Sequence, residues 1–443
     1  MTPGPIIYNL FPRLVGPMKL WIPHIRRARD MGFDTVYVNP FHYPGYSGSL
    51  YAPKDYRGYN PLFVDGDPRP GHEQLGEVVA AARGLGMRFM MDLVINHTAF
   101  DCPLVKEHPE WYKREPDGSV VHPFAIDPAD ARKKHVWGDL AEIDNDGTTD
   151  RPGLWHHWVD LVLYYMTLGV TDFRCDAAYK VPPDLWRLII GTARCRDPRI
   201  RFVAETLGCR LEEVAACIRS GFDYLFNSSK YWNLADPWCL QQYETYRPFT
   251  PSIAFPESHD TPRLAQELEG NEAAVKMRYA LAAFFSAGVM SVLGFEWGFT
   301  RALDVVGTQP ADMEQPKFDI SAFITQVNAV KRQHPIFNVE APTVMVSGPQ
   351  APVFIMKKTW KADRALVIIN KSLTTSERFF FPDWDRWLDW PSFDLVVDIS
   401  PGRRLERVGL PLDVTLEPAQ VMVIHATDPV KPGCARPADT VST

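Results

Sequence analysis

In the segment DFRCDAA (Asp172–Ala178), charged residues occupy alternate positions and apolar residues lie between them. Successive side chains of a β-strand point to opposite faces, so Arg174 and Asp176 share one face while Phe173 and Cys175 share the other. This pattern is typical of a strand in an α/β barrel, where one face looks into the barrel and the other packs against helices. Asp176 then lies near the carboxyl end of the strand, where the active sites of such barrels are found.

Similar short β-rich segments alternate with amphipathic helical patterns as far as about residue 335. The predicted strands are Ile6–Phe11, Thr35–Asn39, Arg88–Val94, Asp172–Ala178, Arg201–Thr206, Tyr224–Asn227, Ser252–Glu257 and Val289–Phe295. Eight strand–helix repeats predict an α/β fold, a (β/α)8 (TIM) barrel. The alternative is an open doubly wound sheet, which the absence of a Gly-x-Gly-x-x-Gly turn after the first strand disfavours.

Three other segments complete the predicted organisation. Residues 1–97 and 153–335 form the barrel, and the long connection 98–152, rich in Pro, Asp, His and Trp, forms a small inserted domain over the barrel mouth. Residues 336–427 contain short strand-like segments at close spacing, which predict a C-terminal antiparallel β domain. The Pro-rich, polar segment 428–443 is expected to be a flexible tail.

Composition excludes several classes of protein. The chain has 443 residues and a formal net charge of -7, which disfavours a nucleic-acid partner or an anionic membrane surface. It contains no run of about 18 apolar residues that would span a membrane, and its N-terminus does not resemble a secretory signal. The seven cysteines form no CxxC pair, so we expect reduced thiols, a cytoplasmic protein and no zinc site.

Acidic residues recur at the ends of the predicted strands. Glu205 ends an apolar strand, and a carboxyl among apolar neighbours can have a raised pKa and donate a proton. The arginine two residues before Asp176 stabilises the anion that a nucleophile requires. Asp260 follows the seventh strand beside His259. Two carboxyl groups that flank a glycosidic bond are the standard apparatus of glycoside cleavage, and a third can stabilise the transition state.

The third strand contributes to the same rim, because Asp92 and Asn96 share a face and His97 follows the strand. Any one of these acids taken alone is more often a helix cap or a structural ion pair. Their ordered occurrence at the ends of strands three, four, five and seven is what indicates a site. The neutral histidines His97 and His259 suit hydrogen bonding to sugar hydroxyls.

Four segments resemble the conserved regions of the α-amylase superfamily, glycoside hydrolase family 13. They are DLVINHT (Asp92–Thr98), DFRCDAA (Asp172–Ala178), FVAET (Phe202–Thr206) and ESHDT (Glu257–Thr261). The resemblance implies that Asp176 is the nucleophile, Glu205 the acid/base and Asp260 the transition-state stabiliser. It also implies a barrel with a domain B after the third strand and a C-terminal antiparallel β domain.

The resemblance extends to substrate binding. YAPKDYRGYNPLF (Tyr51–Phe63) is similar to the family segment in which a tyrosine stacks on the sugar at the cleavage point, a role that falls to Tyr51. Arg174 and His259 match the nucleophile's partner and a sugar-binding histidine, and Asp92 and His97 are expected to contribute to the same substrate site.

Two positions depart from the family pattern. Many members have a Lys-His pair three and four residues after the nucleophile, where this chain has Tyr179 and Lys180. That histidine commonly supplies a carbonyl to a structural calcium, so we predict no metal site and no cofactor. Tyr179, Lys180 and Trp232 are instead predicted to bind the acceptor sugar.

The sequence therefore predicts a retaining enzyme that acts on α-glucans or α-glucosides, with an oligosaccharide or polysaccharide substrate and with transglycosylase activity. An α-amylase-like or α-glucosidase-like hydrolase is the alternative, since both activities share every residue named. A non-catalytic carbohydrate-binding relative would be expected to lack a catalytic carboxylate. A metal-dependent barrel enzyme is disfavoured because Arg174 would repel a cation.

Overall fold

Eight parallel strands form a closed barrel in the computed structural model, which describes residues 3–127, 130–207, 209–382, 396–402 and 406–427. The strands are β1 (Ile6–Leu10), β2 (Thr35–Val38), β3 (Arg88–Leu93), β4 (Asp172–Cys175), β5 (Arg201–Ala204), β6 (Tyr224–Phe226), β7 (Ser252–Ala254) and β8 (Gly288–Val292). Each strand pairs with the next in chain order, and β8 pairs with β1. The predicted (β/α)8 barrel is confirmed, and the open sheet is excluded.

A helix follows each barrel strand. The eight helices are Trp21–Asp30, Gly71–Gly84, Arg151–Thr167, Pro183–Arg196, Leu211–Ile218, Trp238–Tyr246, Glu272–Phe285 and Ser321–Gln333. Four single-turn helices, Pro12–Val15, Pro61–Val64, Leu104–Glu107 and Leu264–Glu267, lie in the connections. None of the helices in the described part of the chain is both long and apolar enough to cross a membrane.

The barrel interior is filled by one side chain set, and the helix-facing core by another. The inward set is Ile7, Tyr37, Met90, Val203, Tyr224, Phe226, Ile253, Phe255 and Met290. Phe173 and Cys175 belong to the core between strands and helices, as the alternation of β4 predicts. At the amino-terminal end of the barrel, the buried Asp172 pairs with Arg88 and Arg201. The polar residues of the candidate site lie at the opposite end of the barrel, where the strands have their carboxyl ends.

An insertion of short strands separates β3 from the helix Arg151–Thr167. His97–Ala99 pairs with Leu140–Glu142, and Phe124–Asp127 pairs with Asp130–Val136, both in antiparallel fashion. This segment corresponds to the predicted inserted domain, whose boundaries at residues 98 and 152 stay predictions.

The C-terminal part is antiparallel throughout its described residues. Its strands are β9 (Thr343–Met345), β10 (Val353–Trp360), β11 (Asp363–Asn370), β12 (Glu377–Phe381), β13 (Val396–Asp398), β14 (Glu406–Arg407), β15 (Leu412–Leu416) and β16 (Val421–Thr427). They form a six-stranded sheet, ordered β9-β10-β11-β16-β13-β14, and the pair β12-β15. The strands β14 and β15 were not predicted from the sequence. The segment 428–443, predicted to be a tail, lies outside the described residues.

Candidate active site

The register of neighbouring barrel strands brings Asp176 and Glu205 together. Cys175 of β4 lies opposite Ala204 of β5, and the N–H of Glu205 donates to the carbonyl of Cys175 at 3.0 Å. The residues that follow, Asp176 and Glu205, therefore leave adjacent strands at the carboxyl end of the barrel. Carboxyl groups on neighbouring strand ends are placed to act on one bond.

Asp176 is held in place by a buried arginine. Arg174 Nη1 donates to Asp176 Oδ1 at 2.7 Å and to Asp92 Oδ1 at 2.9 Å, and the arginine side chain is only 5% exposed. A buried charge-assisted hydrogen bond of this kind stabilises the carboxylate anion. Because Arg174 binds Oδ1, Oδ2 is the oxygen of Asp176 that can attack a substrate.

Glu205 is buried and accepts two backbone hydrogen bonds. Its Oε1 accepts from the N–H of Leu207 at 2.6 Å, and its Oε2 accepts from the N–H of Ala177 at 3.0 Å. Burial raises the pKa of Glu205 to about 7, with the nearby Asp176 adding to the rise and Arg174 opposing it. Near neutral pH the group is therefore present in both protonation states, as a residue that serves first as acid and then as base requires.

The backbone of Ala177 is strained where it meets Glu205. With φ 39° and ψ 49°, Ala177 is a non-glycine residue in the left-handed region, which costs roughly 1–2 kcal/mol. The strained conformation directs the N–H of Ala177 at Glu205 Oε2. Strain of this kind is typical of functional sites, where the surrounding structure holds it in place.

Asp260 extends the site from the loop after β7. Its side chain is 55% exposed, and its Oδ2 lies 3.0 Å from Nε2 of His259. Its position in the cleft acts to raise the pKa of Asp260, but His259 and Arg174 outweigh this effect, and the pKa lies below its usual value. Asp260 is therefore a carboxylate over the neutral range, open to a ligand.

Tyr51 links the predicted substrate-binding residues. Its hydroxyl lies 2.7 Å from His259 Nε2 and donates to Asp92 Oδ2 at 2.7 Å, and its carbonyl lies 2.8 Å from His97 Nε2. The rings of Tyr51 and His259 are stacked, with centroids 5.6 Å apart and planes at 4°. Tyr37, which the sequence reasoning missed, also donates to Asp92, at 2.5 Å. The available signal was the alternation of side chains along β2, which directs Tyr37 into the barrel.

The second ring nitrogen of His259, Nδ1, differs from Nε2 in its surroundings. Nδ1 of His259 is buried and has no hydrogen-bond partner among the described residues. An unsatisfied buried polar atom costs about 1–3 kcal/mol. The structure thus brings Tyr51, Asp92, His97, Arg174, Asp176, Glu205, His259 and Asp260 into one cluster.

Tyr179 and Lys180 lie beside this cluster, on the side of the inserted strands. Tyr179 is half-buried, and Lys180 is exposed and donates to the carbonyl of Phe124 at 3.4 Å. Both line a groove of about 610 Å³ that also includes Trp155. The groove is polar, and its lining does not include Asp176, Glu205 or Asp260.

The prediction for Trp232 is wrong. Its side chain is fully buried, with its ring centroid 5.7 Å from that of Phe285 and 5.2 Å from that of Phe354. A tryptophan packed between the barrel and the C-terminal sheet cannot present its face to a sugar. The neighbouring Tyr231 is instead 61% exposed.

One group of possible metal ligands exists among the described residues, away from the carboxylate cluster. It consists of His108, Glu110 and Asp150, whose ligand atoms lie within 4.8 Å of one another. Asp150 already accepts hydrogen bonds from Trp111 Nε1 at 3.0 Å and from the N–H of Gly153 at 3.0 Å. Its carboxylate therefore has a complete role as a helix cap without a cation.

Comparison with known proteins relates the chain to enzymes of α-glucans. A family model described as the glucanotransferase domain of glycogen debranching enzyme matches residues 5–115. The α-1,4-glucan:maltose-1-phosphate maltosyltransferase of Burkholderia pseudomallei is 26% identical over 396 residues, which cover 84% of this chain and 33% of that protein. The enzyme of the same name from Myxococcus xanthus is 27% identical over 386 residues, 80% of this chain and 55% of that protein. The chain thus spans between a third and about half of these relatives.

Solved structures share the fold over nearly the whole chain. A maltogenic α-amylase from Thermotoga neapolitana superposes with a TM-score of 0.74 at 21% identity, covering 95% of this chain and 98% of that one. An α-amylase from Lactobacillus plantarum gives a TM-score of 0.75 at 20% identity, with the same coverage.

Proposed function

We infer that this chain, a member of the α-amylase superfamily, is a retaining enzyme that transfers α-glycosyl units from an α-glucan or α-glucoside donor to a sugar acceptor. The observation that carries this inference is the pairing of Asp176 and Glu205. One carboxylate is paired with Arg174, and the other is buried with a pKa of about 7 on the adjacent strand. An anionic nucleophile beside a proton donor is the arrangement that double displacement needs.

In the first displacement, Asp176 Oδ2 attacks the anomeric carbon of the donor, and the bond from that carbon to the leaving oxygen breaks. The proton of Glu205 passes to the leaving oxygen, which departs as a neutral hydroxyl. Positive charge that develops on the sugar ring is stabilised by the carboxylate of Asp260. The products are a β-glycosyl ester on Asp176 and an ionised Glu205.

In the second displacement, ionised Glu205 takes a proton from the acceptor hydroxyl, whose oxygen attacks the anomeric carbon. The ester bond to Asp176 breaks, and the carboxylate returns to its pairing with Arg174. Two inversions at the same carbon leave the product in the α configuration.

Two features support a sugar rather than water as the acceptor. The curated relatives are named as maltosyltransferases, and Tyr179 and Lys180, which follow the nucleophile Asp176 in the chain, line a polar groove with room for a sugar. Water at about 55 M competes unless a bound acceptor is well positioned. A hydrolase of maltodextrins is the second candidate, and the 55% exposure of Asp260 favours it because water can reach the cleft.

Product analysis tests the proposal. The enzyme is incubated with maltotetraose or α-maltosyl fluoride at rising concentrations of maltose, and early products are separated by chromatography and assigned by NMR. Transfer predicts rearranged α-linked saccharides at millimolar acceptor, in excess of new reducing ends. Release of reducing ends that matches donor consumption and does not change with acceptor would establish hydrolysis instead. Asp176→Asn serves as the inactive control.

We also propose that the protein is cytoplasmic. The support is chemical: the six cysteines in the described part of the chain are free thiols.

A further inference from the structure

The turn after β6 presents an exposed aromatic side chain at the rim of the barrel. Tyr231 is 61% exposed, and it ends the 3-10 turn Ser229–Tyr231. The turn is closed by two hydrogen bonds: the N–H of Ser229 donates to Asn227 Oδ1 at 3.1 Å, and the N–H of Tyr231 donates to the carbonyl of Ser228 at 3.0 Å. The side chain thus projects from a short, well-defined piece of backbone.

Two contacts tie this turn to the loop that carries Asp260. The N–H of Asn227 donates to the carbonyl of Ile253 in β7 at 3.1 Å. Lys230, whose side chain is 3% exposed, pairs with Glu267 at 2.8 Å, in the single-turn helix that follows Asp260. The loops after β6 and β7 therefore form one continuous section of the rim.

Partial burial and two nearby carboxylates favour the protonated form of the Tyr231 phenol. Burial of part of the ring, followed by the negative charges of Glu267 and Asp260, raises the pKa of Tyr231. The hydroxyl therefore stays protonated, and available as a hydrogen-bond donor, across the neutral range.

The backbone behind Tyr231 is immobilised. The indole N–H of Trp232 donates to the carbonyl of Asp236 at 2.8 Å, and Arg278 Nη1 donates to the carbonyl of Trp232 at 2.9 Å. With its ring fully buried, Trp232 anchors the end of the turn. An aromatic side chain has few rotatable bonds, so a ring on an anchored turn binds a ligand at low cost in conformational entropy.

The order of strands around the barrel indicates which sugar unit of a bound substrate the ring of Tyr231 can contact. β6 lies between β5, which ends at the acid/base Glu205, and β7, which leads to Asp260. Tyr51 enters from the loop after β2, which is not a neighbour of β6. Glu205 protonates the leaving oxygen, so the sugar that carries this oxygen lies on the Glu205 side of the cleft.

We propose that Tyr231 is the platform on which the first glucosyl unit of the leaving group, and later of the acceptor, stacks. The apolar C–H face of a glucose ring packs on the phenol ring, and the phenol hydroxyl can donate to a sugar oxygen. This role rests on the proposed function of the carboxylates. It concerns sugar binding on one side of the bond and is the same whether the final acceptor is water or a glucan.

The test compares two donors that differ on the leaving-group side. Maltopentaose places glucosyl units there, whereas α-maltosyl fluoride places a single fluorine atom. Tyr231→Ala is expected to lower the ratio of kcat/KM for maltopentaose to kcat/KM for the fluoride by about tenfold. Tyr231→Phe keeps the ring and should keep most of this ratio. Phe249→Ala is the matched control, because Phe249 is 72% exposed and precedes β7 at the opposite end of the barrel.

A binding measurement separates failure of this role from failure of the proposed function. Calorimetric titration of maltotriose into the inactive Asp176→Asn enzyme involves no turnover, and adding Tyr231→Ala to it is expected to raise the Kd at least about fivefold. An enzyme that turns over neither donor would contradict the proposed function, yet the titration would still decide the role of Tyr231. An unchanged donor ratio with an unchanged Kd, or an equal effect of Phe249→Ala, would overturn it. Melting temperatures of all variants show whether they are folded.

Discussion

Replacing Glu205 by Gln removes the proton that the leaving oxygen needs while keeping the size of the side chain. The structure shows that this change has a second consequence. Both carboxylate oxygens accept backbone N–H groups, from Leu207 and Ala177, so the amide NH2 of a glutamine must face one of these donors. The lost hydrogen bond costs roughly 1–3 kcal/mol of stability, and the melting temperature has to be measured beside the activity.

The size of the catalytic effect follows from the role and the pKa of Glu205. General acid catalysis contributes about 10²–10⁴-fold, so kcat/KM for maltopentaose is expected to fall by that factor in Glu205→Gln. The raised pKa of Glu205, about 7, sets the pH dependence of the parent enzyme. The protonated form is needed for the first displacement, so kcat/KM falls as pH rises through 7, by about tenfold per unit above it.

The assay measures kcat/KM between pH 5 and 9 with maltopentaose and with α-maltosyl fluoride. Fluoride is a good leaving group that needs little protonation, so Glu205→Gln should affect this donor far less and should lose the alkaline limb of the profile. Equal losses on the two donors would refute the assignment of Glu205 as proton donor. An alkaline limb that persists unchanged in Glu205→Gln would refute it as well.

Three further predictions concern the nucleophile, metal and the buried tryptophan. Asp176→Asn is expected to keep its circular dichroism spectrum and to lose at least about 10³-fold in turnover, because an amide cannot form the glycosyl ester; retention of a tenth of the activity would contradict this. Treatment with EDTA is expected to leave activity and melting temperature unchanged, since Lys180 replaces the family's calcium-associated histidine; a melting temperature that falls in EDTA and recovers with calcium would show the opposite. Trp232→Ala is expected to destabilise the fold by about 3–5 kcal/mol in denaturant titrations, because it removes a large side chain from the core. A raised KM for the acceptor without loss of stability would show instead that Trp232 binds the acceptor.

The barrel and its inward-facing charges could be predicted from the sequence because strand periodicity is a local property. Alternation along Asp172–Ala178 assigns Arg174 and Asp176 to one face, whatever surrounds the strand. Seven of the eight predicted strands begin at the observed residue, but all were predicted to extend beyond the observed carboxyl end. The reason is that the chain turns into the rim loops after each strand, and pairing with a neighbouring strand, rather than composition, decides where a ladder ends.

The contrast between Tyr231 and Trp232 shows that local sequence could not predict which aromatic side chain is exposed. Both are aromatic residues in the same turn, and nothing in their immediate sequence says which one is buried. Phe285 and Phe354, more than fifty residues away in the chain, form the pocket that takes the tryptophan, so its neighbour is left exposed at the rim.

The sequence by itself predicted the type of chemistry, because the residue types at four strand ends and their order need only the strand period and the chain direction. The tertiary structure decided how these groups act on one another. The pKa of Glu205 near 7 comes from burial together with Arg174 and Asp176, and the anchoring of Asp92 comes from Tyr37 and Tyr51. Desolvation and hydrogen bonding depend on distances between segments that are remote in the chain, and only the closed barrel sets those distances.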